Sequence, residues 1–277
     1  MTILVTGANG YIGRHVVTAL CDKGTNVIAA DFQTTEIDNR AVAVSCDIFS
    51  EKKNIYQELG CPDACLHMAW RDGFIHNSDA HMMDISRHYT FLRNMIDGGL
   101  RQLAVMGTMH EVGYWEGAVD ENSPCNPQNM YGIAKDALRR STFLLAEQKN
   151  VCLQWLRAYY IYGDDLHNHS IFTKICKAES AGVKTFPFNS GKNLYDFISI
   201  DELAQQIAAC VIQTKVTGII NCCTGQPVSL AEKVEGFIQE RGYLIRLDYG
   251  AFSDRPYDSL GIWGDNTKIK KIMYGGE

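Results

Sequence analysis

The chain is expected to fold as an α/β protein, a doubly wound parallel sheet with a smaller C-terminal lobe interleaved with it. Three observations predict this. Short apolar runs alternate with helix-length segments over about the first 160 residues. A glycine-rich turn, "TGANGYIG", separates the first apolar run from the first helical period. After about Gly163 the alternation loosens into turn-rich segments before helix and strand signals return. There is no internal repeat and no low-complexity linker. The expected division is residues 1–162 for the sheet domain and 163–277 for the second lobe, with some elements of the lobe returning to the sheet.

The strand-like runs of the first part are "TILVT", "NVIAAD", "AVAVSCD", "ACLHMAW", "QLAVMG" and "LQWLRAY". Between the fourth and fifth, Met82, Ile85, Tyr89, Leu92 and Ile96 recur at spacings of three and four, which makes one apolar helix face. In the second part "DDLHNHS" reads as a loop and "FPFNSGKNLYDF" carries the punctuation of turns. "DELAQQIAACVIQ" then reads as a helix and "GIINCC" as a strand.

Composition removes several classes. The formal charge is −6 with no basic stripe, which argues against nucleic acid as a ligand. No apolar run approaches the roughly 18 residues of a membrane span. The 10 cysteines are scattered with no C-x-x-C pair, and a strand-like run begins almost at Met1, where a signal peptide would stand. Reduced cysteines in a cytoplasmic protein are the expectation. His76, His81 and His88, like His167 and His169, match no common metal-ligand spacing, so no metal is expected.

Gly7, Gly10 and Gly13 form G-x-x-G-x-x-G, a relative of the dinucleotide fingerprint. Glycine lets the backbone turn tightly and approach a pyrophosphate, whose charge then sits at a helix N-terminus. Asn9, Tyr11 and Ile12 belong to the same turn. Asp31 ends the second strand, 18 residues beyond Gly13, where a carboxylate accepts from the adenosine ribose. No arginine or lysine adjoins Asp31, so NAD is expected over NADP. Arg14 is the nearby cation that keeps NADP open.

These glycines, then "CDI", "HMAW" and "YGIAK", come in an order that resembles an extended short-chain dehydrogenase/reductase of the NAD-dependent epimerase/dehydratase family, whose sheet is Rossmann-like. In the second lobe "LRAYYIYG", "YDFISIDELA" and "GIINCCTGQPVSL" resemble further motifs of that family. The resemblance implies that Asp47 and Ile48 flank the adenine and that Met68, Ala69 and Trp70 pass beneath the dinucleotide. It also adds Tyr159 and Ile161 to the cofactor side and implies a homodimer, through the helices carrying Leu92 and Tyr131.

Tyr131 and Lys135 are four apart and share a helix face. A phenol with a pKa near 10 is a poor acid or base at neutral pH. A lysine ammonium and an oxidised nicotinamide both favour the phenolate. By the resemblance, Thr108 at the end of the preceding strand completes a triad that positions and protonates a carbonyl oxygen. Family dehydratases carry Asp-Glu after this threonine; Met109 and His110 stand here, and methionine cannot act as an acid. His110 is a candidate to relay a proton at a sugar carbon or to bind the sugar. Glu111 reads as a solvated or pocket-lining residue.

On the substrate side Met109, Tyr160, Asn168 and Tyr195 are candidates. By the resemblance, Tyr195 replaces the arginine of one family motif, Tyr160 the asparagine of another, and Asp84 a further asparagine. Arg255 in "SDRPYD" matches the family's late arginine and is a candidate for the substrate diphosphate. The expectation is NAD(P)H-dependent reduction of a nucleotide-activated 4-keto-6-deoxyhexose to the 6-deoxy sugar, for bacterial-type surface polysaccharide. An NAD-dependent nucleotide-sugar epimerase is the alternative, since the triad serves both. A non-catalytic dinucleotide sensor would not need an intact Tyr and Lys.

Overall fold

The computed structural model describes residues 1–163, 170–254 and 258–275. In chain order the first part runs β1 (Thr2–Thr6), α1 (Tyr11–Asp22), β2 (Asn26–Asp31), β3 (Val42–Ser45), α2 (Ile55–Glu58), β4 (Ala64–His67), α3 (Ala80–Gly98), β5 (Gln102–Thr108), β6 (Gly117–Val119), α4 (Met130–Lys149) and β7 (Cys152–Ala158). The remainder is β8 (Tyr160–Tyr162), α5 (Ile171–Ser180), β9 (Thr185–Phe188), β10 (Leu194–Ser199), α6 (Ile200–Val211), β11 (Gly218–Cys222), β12 (Pro227–Ser229), α7 (Leu230–Glu240), β13 (Arg246–Tyr249), β14 (Gly261–Gly264) and α8 (Thr267–Tyr274).

Among the described residues, seven parallel strands form the main sheet in the order β11-β7-β5-β4-β1-β2-β3. The chain starts in the middle, winds to β3, then returns across β4 to the other edge. Side chains of successive strand residues point to opposite faces, and both faces are covered. Ile3 and Val5 of β1 pack with Val16, Val17 and Leu20 of α1 and Leu203 and Ile207 of α6. Leu4 faces the other way, with Phe91, Leu92 and Met95 of α3 and Leu138 of α4. Strands buried on both sides read as near-continuous apolar runs, which is why they were legible.

The smaller lobe has its own core, where Phe172, Ile175, Phe188, Phe197, Val234 and Phe237 meet. Its sheet orders β12-β10-β14-β6, with β8 beside β10. The two lobes are sewn together: α6, β11 and α8 pack on the main sheet, whereas β6 joins the second sheet. Asp196 is the knot. Fully buried in β10, it accepts from the Thr224 amide (2.9 Å) and hydroxyl (2.6 Å), the Gly225 amide (2.8 Å) and the Gly264 amide (3.1 Å). Asn221 adds donations to the carbonyls of Val119 (2.7 Å) and Asp265 (3.2 Å).

Candidate active site

A continuous cavity of about 1660 Å³ runs along the C-terminal ends of β1, β2, β4 and β5 and on between the lobes. Ligands of open α/β sheets bind at this end. A site for one drug-sized ligand takes roughly 300–1,000 Å³, so the cavity has room for two molecules.

Its first half is the glycine-rich turn. Gly7 has φ +70°, and a Cβ there would stand 2.6 Å from the Ala69 nitrogen. Only glycine lets the ends of β1 and β4 approach this closely. α1 starts after Gly10, which has no side-chain cap, so its first amides and its positive dipole end are left for an anion. Tyr11, Ile12 and Gly13 continue the cavity wall along this first turn. Asp31 accepts from the amides of Asn9 (2.9 Å) and Phe32 (2.7 Å), which aims its carboxylate and leaves lone pairs for a ribose diol. Arg14 is ion-paired with Glu36, whose amide donates to Asn9 Oδ1 (3.0 Å). The second carboxylate makes this end hostile to a 2′-phosphate. Asp47 and Ile48, then Met68, Ala69 and Trp70, extend the wall. Turn, uncapped helix end and carboxylate together fit a dinucleotide.

Thr108 ends β5, and Tyr131 and Lys135 stand on the first two turns of α4. Asn129 caps that helix by accepting from the Gly132 amide (2.8 Å). The Tyr131 amide donates to the His76 carbonyl (2.8 Å), which staples the loop after β4 to α4. The Thr108 hydroxyl accepts from the His110 amide (3.3 Å) and is hydrogen-bonded to the Tyr131 phenol. Lys135 Nζ donates to the Met106 carbonyl (2.7 Å). Burial pushes the Tyr131 phenol above its usual range, and the Thr108 bond eases it. Burial presses Lys135 down to about 7, against the pull of Glu111. The protonated phenol is thus the resting form, and the lysine titrates near neutrality.

Glu111 is not where the sequence suggested. It is fully buried and lies outside the cavity wall. Its carboxylate accepts from the Thr108 amide (2.8 Å) and Trp155 Nε1 (2.9 Å), facing Arg157 (3.5 Å) and Arg139 (3.6 Å). Thr108 lies three residues upstream, a capping-box spacing the sequence carries, but Trp155, Arg157 and Arg139 come from β7 and α4, so local sequence could not reveal the burial. Glu111 holds the end of β5 in place.

Histidines weighed in the sequence only as metal ligands gather here instead. His76 stacks on Tyr131 (centroids 5.7 Å, 12° between planes) and lies 4.4 Å from His110. Burial and His76 press His110 down to about 3, so it meets ligands as neutral imidazole. His81 accepts from Trp70 Nε1 (3.1 Å), and His88 stacks on Trp70 (4.4 Å, 13°). A buried chain runs from Thr6 Oγ1 to His67 Nδ1 (2.8 Å) and from His67 Nε2 to His88 Nδ1 (2.9 Å). The spacing of His81 and His88, two turns apart on one face of α3, was the available signal.

Beyond the triad, Met109, Tyr159, Tyr160, Ile161 and Tyr195 line the second half of the cavity, with Phe172 and Ser259. Tyr160 and Tyr195 pack at 4.2 Å, so the wall where the motif's arginine would stand is aromatic. Asp84, counted in the sequence as a departure, is buried and paired with Arg71 (2.5 Å) and Arg87 (3.4 Å), the two arginines of the cavity wall among the described residues. Asn168 and Arg255, like His167 and His169, lie outside the described residues.

A profile of the NAD dependent epimerase/dehydratase family matches residues 3–223. The chain is 46% identical over 272 residues to a dTDP-6-deoxy-L-talose 4-dehydrogenase (NAD(+)) of Aggregatibacter actinomycetemcomitans, covering 95% of this chain and 99% of that protein. Among solved structures, the UDP-glucose 4-epimerase of Thermotoga maritima superposes with TM-score 0.82 at 22% identity, over 98% of this chain and 92% of the other. The dTDP-glucose 4,6-dehydratase of Streptomyces venezuelae gives 0.81 at 21%, over 98% and 90%. At these identities the two structures speak to the fold.

Proposed function

The chain belongs to the NAD-dependent epimerase/dehydratase family, and on that premise we propose that it interconverts dTDP-6-deoxy-L-talose and its 4-keto form with NAD(H). What carries this reading is the convergence of Thr108, Tyr131 and Lys135 beside a dinucleotide cradle. The relative at 46% identity over nearly its whole length supplies the sugar and the nucleotide.

NADH, which the glycine turn, the open end of α1 and Asp31 would hold, would supply a hydride for C4. The Tyr131 phenol donates its proton to the C4 oxygen as that oxygen gains negative charge, so carbonyl, hydride and proton become a secondary alcohol. The Thr108 hydroxyl holds the same oxygen. The Lys135 ammonium stabilises the phenolate left on Tyr131. Neutral His110, Tyr160 and Tyr195 line the sugar and nucleotide side, and Met109 removes any acid that would expel a hydroxyl. Asp31 and the Arg14–Glu36 pair favour NAD over NADP.

The reading extends to the compartment and the assembly. All ten cysteines are free, which suits a reducing cytoplasm. No helix among the described residues is long and apolar enough to cross a membrane. The product, an activated 6-deoxyhexose, is the form a glycosyltransferase consumes, and we assign it to bacterial-type surface polysaccharide. We also propose a homodimer through α3 and α4. Ile133, Ala137 and Leu144 make an exposed apolar stripe on α4, Leu144 being 61% exposed, and Met82 and Met83 are exposed on α3. Light scattering is expected to return twice the chain mass of 31.0 kDa, and Leu144→Glu is expected to halve it. A wild-type mass of one chain would remove the dimer.

The activity is tested by nicotinamide absorbance. With dTDP-6-deoxy-L-talose and NAD⁺, reduced cofactor is expected to accumulate, and with the 4-keto sugar NADH is expected to be consumed. NADPH is expected to serve at least roughly tenfold less well, a difference of about 1.4 kcal/mol in the barrier. Appearance of a C4 epimer without net change in NADH would replace the reading with an epimerase.

A further inference from the structure

We propose that Trp70 is a positioning residue for the catalytic lysine: its indole face carries the Lys135 ammonium and turns that group's remaining N–H toward the cavity. Nζ stands 3.9 Å from the indole centroid, within the range of a cation–π contact. The inference rests on the reading of Lys135 as the triad lysine. An ammonium has three N–H bonds. One is taken by the Met106 carbonyl at 2.7 Å and one is spent on the ring face. One is left, and the cavity wall to which Lys135 belongs is where a ligand hydroxyl can accept it.

The ring has no freedom to leave the amine. It stacks on His88 at 4.4 Å and 13°, and its edge meets Tyr131 at 6.0 Å. Its Nε1 donates to His81 Nδ1 (3.1 Å), so His81 Nε2 carries the proton it gives to the Ile75 carbonyl (3.0 Å). The titratable groups facing Lys135 are Tyr131 on its own helix, Glu111 from the turn after β5, His67 from β4 and His88 from α3. Burial keeps both histidines neutral. Glu111 is engaged by Thr108, Trp155 and two arginines. The indole quadrupole is then the negative potential lying directly against the ammonium, beside the Met106 carbonyl.

The test is an NMR titration of the whole protein carrying ¹³C,¹⁵N-lysine, with the Lys135 signal identified by its loss in Lys135→Met. In the wild type its εCH₂ protons are expected upfield, shielded by the indole ring. Trp70→Leu should remove that displacement and lower the titration midpoint by roughly half a unit to one unit. Trp70→Phe, which keeps a ring face, should restore most of both. Because Trp70→Leu can disturb folding, a second arm replaces the tryptophans with fluorinated ones, which weakens the quadrupole at nearly constant volume. The midpoint is expected to fall with each fluorine in the wild type and to stay constant in Trp70→Phe. An unchanged midpoint and unshifted εCH₂ signal in both arms would overturn the proposal. This readout needs no sugar, so a protein that titrates as expected but turns over no 4-keto sugar keeps this inference and loses the proposed substrate.

Discussion

Tyr131→Phe is expected to cut turnover of the 4-keto sugar by roughly 10²-fold or more, since under the proposed function it removes the phenol that would protonate the C4 oxygen. The change deletes a single oxygen. The ring would still stack on His76 and meet the edge of Trp70, so the wall should keep its shape. Dinucleotide binding should survive, because the glycine turn, the open end of α1 and Asp31 lie on other elements. The check is steady-state kcat beside NADH binding followed by fluorescence. A variant that turns over within about threefold of the wild type would sink the triad assignment, whereas loss of NADH binding would mean that the substitution had damaged the cradle. Burial gives the expectation its direction: a phenol held above its usual range is protonated at the pH of reduction.

The second large effect is on stability. Glu111→Ala is expected to cost about 3–5 kcal/mol, the range for breaking a buried ion pair by removing one partner. Arg157 is fully buried, and the substitution would leave its guanidinium with the Asp120 carbonyl (3.3 Å) and the Cys125 sulfur (3.8 Å) but no carboxylate at 3.5 Å. Trp155 Nε1 and the Thr108 amide would lose their acceptor as well. Glu111→Gln, which keeps an acceptor of the same shape, should cost less. Urea unfolding of the three proteins measures this. A loss under about 1 kcal/mol for the alanine variant would mean that solvent or a neighbour takes over the role. Activity should fall with stability, because the Thr108 amide fixes where β5 ends and hence where the hydroxyl points.

Where a residue's place in the fold depends on its neighbours along the chain, the sequence was enough. Gly7 to Gly13 follow a strand and open a helix, and Asp31 ends the next strand. Tyr131 and Lys135 share one helix face by spacing alone. Glu111 was read as solvated or pocket-lining, and Asp84 only as a departure from a motif, because a carboxylate's state depends on which cations fold against it, and Arg139, Arg157, Arg71 and Arg87 approach in the folded chain. The histidines show the same limit. Read along the chain, His76 stands apart from the His81–His88 helix face, and it is tertiary bonding, from the Tyr131 amide to the His76 carbonyl and from the Met130 amide to Asn77 Oδ1 (3.2 Å), that brings it to the phenol.

By itself, then, the sequence predicted the parallel α/β architecture, a glycine turn between β1 and α1, and Tyr131 and Lys135 on one helix face, because periodicity, turn chemistry and helical spacing are local and survive reading in one dimension; Thr108 joined them through the family resemblance. The tertiary structure decided which elements return to the first sheet, namely α6, β11 and α8, that Glu111 anchors the end of β5 rather than facing solvent, and that Trp70 lies beneath the lysine. Those facts come from burial and long-range pairing, where the energy of a charge or a ring is set by whatever packs against it from elsewhere in the chain.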